Sequence, residues 1–191
     1  MFTVQLCTVL IGILNIAEAL DYNFLVPEEG AVACDGSEDK FLDAFFDLSN
    51  INWKYFDDET IILNGYVTYL KEIDASLHLH IQVQRYDSGR WIETPYQNDR
   101  QDVCTTLFDK NEMWYEFVKE LEENSKSCPP EKGTRYDFKE KKVSTLIKDL
   151  PPGLDGTYRA LIKLFIADDL IFCMNVEGDL VKKSVDNKTI G

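Results

Sequence analysis

Residues Leu77–Gln84, Leu-His-Leu-His-Ile-Gln-Val-Gln, alternate between apolar and polar side chains without a break. Successive side chains of a β-strand point to opposite faces of the sheet, so this stretch predicts a half-buried strand. Asp87-Ser88-Gly89 then supplies turn chemistry, and Arg90–Glu93 is predicted to return as a paired strand. The predicted apolar face consists of Leu77, Leu79, Ile81 and Val83.

Two more strands are predicted near the C-terminus, over Tyr158–Ile166 and Leu170–Val176, with a turn at Ala167-Asp168-Asp169. Both faces of these strands carry apolar side chains, which is typical of strands covered on both sides. Upstream, Ile51–Tyr55 and Thr60–Leu70 are rich in β-branched and aromatic residues and are also predicted strands. The sequence therefore predicts a mainly β, antiparallel sandwich or cup.

Two interruptions of the β pattern are predicted. Asn64-Gly65 is expected to form a tight turn or a bulge within its strand. Residues Asn111–Ser125 carry apolar side chains at helical spacing, including Trp114 and Phe117, and predict one helix. The prolines of Cys128-Pro129-Pro130 cannot continue that helix.

Length and charge limit the class of protein. The chain has 191 residues, 20 Lys and Arg against 34 Asp and Glu, and a net charge of −14. This excess of acid argues against binding to nucleic acid or to anionic membranes. The length suits a single domain, and no apolar run is long enough for a transmembrane span, so an integral membrane protein is not expected.

The N-terminus predicts export from the cell. Leu6–Leu14 is a short apolar stretch, and Ala17-Glu18-Ala19 matches a signal-peptidase site. We therefore predict a signal peptide over residues 1–19, a domain over 20–191 and a secreted, extracellular protein. Asn187-Lys188-Thr189 is a candidate N-glycosylation site.

Loss of Cys7 with the signal peptide would leave four cysteines, Cys34, Cys104, Cys128 and Cys173. An even number in an exported chain predicts two disulfides, with three possible pairings. No two of the four are spaced Cys-x-x-Cys, so neither a zinc site nor a redox site is expected.

Catalytic motifs are missing, so we predict no enzymatic activity and no cofactor. The sequence has only two histidines, His78 and His80, and they share one face of the predicted strand. They could pair on a metal, but no third ligand is near in sequence, and a solvated polar face with Gln82 and Gln84 is the preferred interpretation. Acidic groups such as Asp57-Asp58-Glu59 could be catalytic carboxylates or calcium ligands, but they lie at predicted turns, where Asp is favoured for backbone reasons, and solvated turns are the preferred interpretation.

A series of short motifs resembles a known family in order and spacing. It is similar to the insect secreted chemosensory proteins of the CheA and CheB type, which themselves resemble ganglioside-activator proteins and, more distantly, ML lipid-recognition domains. The resemblance covers roughly residues 51–181. The motifs are Asn64-Gly65, Asp102-Val103-Cys104, the aromatic helix through Trp114, Cys128-Pro129-Pro130-x-Lys132-Gly133, Leu150-Pro151-Pro152, Gly156-x-Tyr158-Arg159 and a cysteine in the last hairpin.

The resemblance implies a β-cup of about eight antiparallel strands around an apolar lipid cavity, with bridges Cys34–Cys173 and Cys104–Cys128. It implies binding of a lipid or hydrophobic semiochemical outside cells, in chemosensation including pheromone response, with a membrane receptor as a further partner. The extra cysteines of ganglioside activators are absent here. A ganglioside or glycosidase partner is therefore not carried over.

The cavity lining is predicted on two facing walls. One wall is Leu77, Leu79, Ile81 and Val83; the wall opposite is Tyr158, Ile162 and Leu164; Trp114 and Phe117 lie near the mouth, whose loop is Leu150–Leu154. These residues are equally compatible with an ordinary packed core, since lining and core share one composition. The alternative function is accordingly a filled β-sandwich that binds a protein or receptor partner through its acidic surface.

Overall fold

The computed structural model describes residues 19–27, 29–57, 59–73, 76–112, 114–119 and 127–184. The predicted signal peptide and Asn187 therefore lie outside the described residues, apart from Ala19. The side chains of Glu116 and Phe117 lie outside the description as well.

The described part of the chain is mainly β, as predicted, with eleven strands where about eight were expected. The strands are β1 (Leu20–Leu25), β2 (Ala31–Ala33), β3 (Phe46–Asp47), β4 (Ile51–Asp57), β5 (Thr60–Tyr69), β6 (His78–Asp87), β7 (Arg90–Arg100), β8 (Arg135–Ser144), β9 (Leu146–Leu150), β10 (Gly156–Ile166) and β11 (Asp169–Lys182).

The described helices are short. They are a 3₁₀ turn (Glu38–Lys40), α1 (Leu42–Phe45), α2 (Val103–Thr106) and α3 (Tyr115–Val118). The one helix predicted over residues 111–125 is described only as α3, because residues 120–126 lie outside the description. Asn111 and Glu112 form a turn, in which the Asp109 carboxylate accepts a hydrogen bond from the Asn111 N–H (2.9 Å).

The larger sheet has the strand order β7-β6-β10-β11-β1-β9, and every pairing in it is antiparallel. The short β2 pairs with β11 beside Met174–Val176. The two hairpins expected from the sequence, β6–β7 and β10–β11, are both present. They lie side by side because β6 pairs with β10 from Tyr158↔Arg85 to Phe165↔His78.

The smaller sheet is centred on β5, with β3 and β4 on one side and β8 on the other. Strand β8 runs almost directly into β9, so the chain passes from one sheet to the other at Thr145. The Thr145 N–H donates to the Glu59 carbonyl (2.8 Å), and the Thr145 carbonyl accepts from the Phe24 N–H (3.0 Å). These bonds join the two sheets into one curled half-barrel.

The interruption expected at Asn64-Gly65 is a bulge. Leu63 pairs with Lys141, but Gly65 pairs with Phe138, so the extra residue lies on β8. Gly65 has φ +105°, and a Cβ placed on it would lie 1.8 Å from the Asn50 carbonyl oxygen. Only glycine allows β5 to pass this close to the turn before β4.

Two disulfides connect parts of the chain that are distant in sequence. Cys34 bonds to Cys173, with a Cα–Cα distance of 5.6 Å, and ties the segment after β2 to β11. Cys104 in α2 bonds to Cys128 before the proline pair. These are the two bridges that the family resemblance implied.

Candidate functional site

The inner face of the larger sheet carries most of the predicted lining. Residues directly opposite each other on paired strands share a face, so the register defines this wall. Leu79 pairs with Leu164, Ile81 pairs with Ile162 and Val83 pairs with Ala160, so the two members of each pair lie side by side on this face. On the far side of β10 the same face continues through Phe172, Met174 and Val176. The result is a continuous apolar wall three strands wide.

The prediction that Ile162 and Leu164 lie on the wall opposite Leu79 and Ile81 was therefore wrong. Ile162 and Leu164 are neighbours of Ile81 and Leu79 in one sheet, not residues across a cavity from them. The cause is the pairing of β6 with β10, which sequence periodicity does not reveal, because period two fixes the face of a strand but not its partner. The opposite wall must come from the smaller sheet.

Leu77 is the first residue of the same predicted lining. It precedes β6, is buried, and its carbonyl accepts a hydrogen bond from the Val103 N–H (2.8 Å). It therefore anchors α2 to the start of the wall.

One end of the wall is closed by a cluster around Tyr22, Tyr158 and Leu180, against which Val83, Leu150 and Leu154 pack. The predicted mouth loop lies here. The Tyr22 hydroxyl donates to the Pro151 carbonyl (3.2 Å) and accepts from the Leu154 N–H (3.3 Å). Leu150 itself ends β9 and pairs with Leu20. The loop is thus fastened to the wall by a tyrosine that the sequence analysis did not single out.

Tyr158 is a polar group buried in this cluster. Its side chain is only 6% exposed, and its hydroxyl has no hydrogen-bond partner among the described residues. Burial raises the pKa of the Tyr158 phenol, and the nearby Arg85 guanidinium opposes this rise. The guanidinium carbon of Arg85 lies 5.7 Å from the centre of the Tyr158 ring.

The other end of the wall is packed by a second cluster, built on Phe45, Tyr69 and Phe172. The rings of Phe45 and Phe172 meet edge to face, with centroids 5.3 Å apart. Ile162 and Leu164 pack against this cluster. Both of these predicted lining residues are partly buried there.

The facing wall is the inner face of β4 and β5, which the sequence analysis did not assign to the site. Tyr69 lies in the buried cluster, and Leu63 and Ile61 share its face by the period of two. In the pairing of β4 with β5, Trp53 lies beside Leu63 and Tyr55 lies beside Ile61, so all four share this face. The alternation of Ile51, Trp53 and Tyr55 was the signal that could have identified this wall.

Trp53 and Tyr55 remain accessible although they lie on the inner face. Their exposed fractions are 36% and 38%, and their rings meet edge to face at 5.9 Å. The Tyr55 hydroxyl donates to the Val26 carbonyl and accepts from the Val26 N–H, both at 2.8 Å. The edge of β4 is thus held in place from the far side of the half-barrel while its aromatic inner face stays open.

The two residues predicted near the mouth are only partly described. Trp114 precedes α3, is half-buried, and donates through Nε1 to the Leu107 carbonyl (3.0 Å). It ties the segments around α2 and α3 together. The backbone of Phe117 lies in α3, and its side chain is outside the description.

The two histidines meet a carboxylate that was not expected. His78 Nε2 lies 3.1 Å from each carboxylate oxygen of Asp99, and His80 Nδ1 lies 3.2 Å from one of them. Hydrogen bonds from the two rings hold the pKa of the Asp99 carboxyl below its usual value. Among the described residues, no group of three or more His, Cys, Asp or Glu side chains is arranged to hold a metal ion.

The sequence matches no protein-family model and no curated protein. The family resemblance therefore stays a prediction that rests on the motifs themselves. None of the described helices is both long and apolar enough to cross a membrane. Two disulfides are typical of an oxidising, extracellular environment.

Proposed function

We propose that this protein is a secreted, non-enzymatic binding protein for a lipid or other hydrophobic small molecule. One observation carries the proposal: Trp53 and Tyr55 share the face of Leu63 and Ile61 that continues to the buried Tyr69, yet each is more than a third exposed. Large aromatic side chains on an inner face are normally covered by the facing layer, so the inner face at Trp53 and Tyr55 is accessible to an apolar ligand.

Burial alone supplies enough free energy for such a ligand. Each methylene removed from water contributes about 0.8 kcal/mol. A tail of roughly ten methylenes therefore offers on the order of 8 kcal/mol, before the costs of ordering the ligand and the protein. No reactive side chain is needed for this function.

Export and a sensory role complete the proposal. Two disulfides and the N-terminal Ala17-Glu18-Ala19 pattern support secretion. The motif resemblance supports a chemosensory role, with the bound semiochemical presented to a membrane receptor. Glycosylation at Asn187 is part of the same proposal, since the site would pass through the secretory pathway.

A fluorescence titration with the apolar probe N-phenyl-1-naphthylamine tests the binding function. The wild-type protein should take up the probe saturably, with about one site. Trp53→Glu places a charge on the accessible inner face and should weaken uptake about tenfold or more, because an ionised carboxylate beside an apolar ligand is costly. The matched control is Phe56→Glu on the same strand. Phe56 is 61% exposed, and its ring lies 4.6 Å from the ammonium of Lys142, which pairs with Ile62 and not with Ile61 or Leu63.

Two results would contradict the proposal. One is a titration without saturation. The other is equal loss of uptake in the Trp53 and Phe56 variants, which would place the probe on the surface. A salt-sensitive protein partner found together with a flat titration would favour the filled interaction module instead.

A further inference from the structure

We propose that the ligand carries a carboxylate and that Arg85 and Tyr158 bind it at the closed end of the inner face. This inference deepens the proposed function and rests on it. It assigns a chemical class to the ligand, a long-chain carboxylic acid, where the proposed function requires only an apolar molecule.

The first support is the unsatisfied hydroxyl of Tyr158. The residue is 94% buried within the cluster around Tyr22 and Leu180, and its hydroxyl has no partner among the described residues. Leaving a buried donor unpaired is unfavourable. A ligand oxygen at this position would accept the hydrogen bond and remove that cost. The neighbouring Tyr22 hydroxyl differs, because it is already bonded to Pro151 and Leu154.

The second support is the position of Arg85. It stands directly opposite Tyr158 in the pairing of β6 with β10, so both side chains are on the inner face. Its Nη2 donates to the Asp155 carbonyl (2.9 Å). No described carboxylate forms a salt bridge with it, and the Asp155 carboxylate instead accepts from the Lys182 N–H (2.9 Å). A guanidinium has five N–H donors, so most of those on Arg85 remain available to a carboxylate.

The backbone of Gly156 lies close to this guanidinium. Gly156 starts β10 with φ +146°, and a Cβ placed there would lie 3.4 Å from Nε and from Nη2 of Arg85. A Cβ at that distance would be in ordinary van der Waals contact with the guanidinium, and the positive φ is what favours glycine here.

The apolar wall begins immediately beside this polar pair. Val83 is two residues from Arg85 on β6, and Ala160 is two residues from Tyr158 on β10, on the same face. The wall then continues through Ile81 to Leu79, about 13 Å further along the strand at 3.3 Å per residue. A carboxylate at Arg85 and Tyr158 would therefore direct its alkyl chain along the predicted lining.

Competition against N-phenyl-1-naphthylamine tests the inference, with hexadecanoic acid, its methyl ester and hexadecane as competitors for the purified, disulfide-bonded protein. The acid should bind at least about tenfold more tightly than the ester or the alkane. Tyr158→Phe removes only the hydroxyl and should weaken the acid about tenfold, and Arg85→Gln should weaken it further. For both variants the affinity for hexadecane should fall by a smaller factor than the affinity for the acid. Tyr86→Phe, at an exposed tyrosine, is the matched control.

The possible failures are distinguishable. Equal affinity for acid, ester and alkane would overturn the carboxylate site and leave the proposed function standing. The same holds if Tyr158→Phe and Arg85→Gln leave the affinity for the acid unchanged. Failure of all three competitors and of the probe would overturn the proposed function itself.

Discussion

The hydroxyl of Tyr22 accepts a hydrogen bond from the backbone N–H of Leu154, a residue 132 positions further along the chain, at 3.3 Å. The same hydroxyl donates to the Pro151 carbonyl, and the Tyr22 side chain is fully buried. One side chain of the first strand therefore holds the loop that closes one end of the half-barrel. This contact connects the stability of the fold with the shape of the proposed site.

Tyr22→Phe should destabilise the protein by about 1–3 kcal/mol, because the Leu154 N–H and the Pro151 carbonyl lose a buried partner. Urea unfolding measures this change through the midpoint of the transition. Tyr86→Phe is the control, since Tyr86 is 48% exposed and should change stability by less than about 0.5 kcal/mol. Equal effects of the two substitutions would show that the Tyr22 hydroxyl does not hold the loop.

The two disulfides should differ in their contribution to stability. Cys34 and Cys173 are 139 residues apart, whereas Cys104 and Cys128 are 24 apart. Chain-entropy arguments give about 5 kcal/mol for a loop of the first length and about 3.5 kcal/mol for the second. Replacing each pair by alanines and comparing urea unfolding tests the order. A larger loss from the Cys104–Cys128 pair would contradict the prediction, as would peptide mapping that finds other pairs.

Gly65→Ala should be strongly destabilising, by about 3 kcal/mol or more, because the new methyl would overlap the Asn50 carbonyl and φ is positive there. Gly89→Ala is the matched control. Gly89 also has a positive φ, +83°, but a Cβ there meets no atom within 4 Å. It should cost only about 1–2 kcal/mol. Thermal or urea unfolding that finds similar losses would show that the close approach to Asn50 is not what requires the glycine.

The raised pKa of Tyr69 predicts that the protein loses stability at alkaline pH. Burial, with a smaller contribution from Tyr136, raises the pKa of Tyr69 from 10.0 to about 12. The contribution of the neutral Tyr69 phenol to the free energy of unfolding is fully present below pH 10. It is lost between about pH 10 and 12, because only the unfolded chain releases the proton in that range. The expected loss is about 2–3 kcal/mol.

Urea unfolding at pH 9 and at pH 11.5 measures this dependence on Tyr69. Tyr69→Phe should reduce the difference between the two values, whereas Tyr86→Phe should leave it unchanged. The same difference in wild type and in Tyr69→Phe would refute the assignment of the alkaline loss to this tyrosine.

The sequence predicted the two long hairpins because alternation is strong within β6 and within β10 and β11. It did not predict that β6 pairs with β10. The paired residues are about 80 positions apart in the chain, and an alternation of period two is compatible with any partner strand. For that reason Ile162 and Leu164 were placed on the wrong wall. The short strands β1, β2 and β9 were not predicted, because they lack a long alternating run.

The contact of Asp99 with His78 and His80 could not be predicted from the sequence either. The turn at Ser88-Gly89 pairs Gln84 with Glu93, and an uninterrupted hairpin would bring Gln97 opposite His80. A bulge after Glu93 adds two residues to β7, so Asp99 stands there instead. Pro95 lies in this irregular stretch and cannot take part in regular pairing. The proline was visible in the sequence, but the size of the resulting register shift was not.

Native mass spectrometry of the secreted protein, with extraction and identification of any molecule that leaves with it, is the decisive test of ligand binding inside the half-barrel. We expect a folded ion that carries one apolar molecule, present at isolation or after incubation with hexadecanoic acid. It also predicts that Trp53→Glu reduces the bound fraction while Phe56→Glu does not. A folded, doubly disulfide-bonded ion that remains at the mass of the polypeptide under both conditions would contradict the claim that the half-barrel binds a ligand on its inner face.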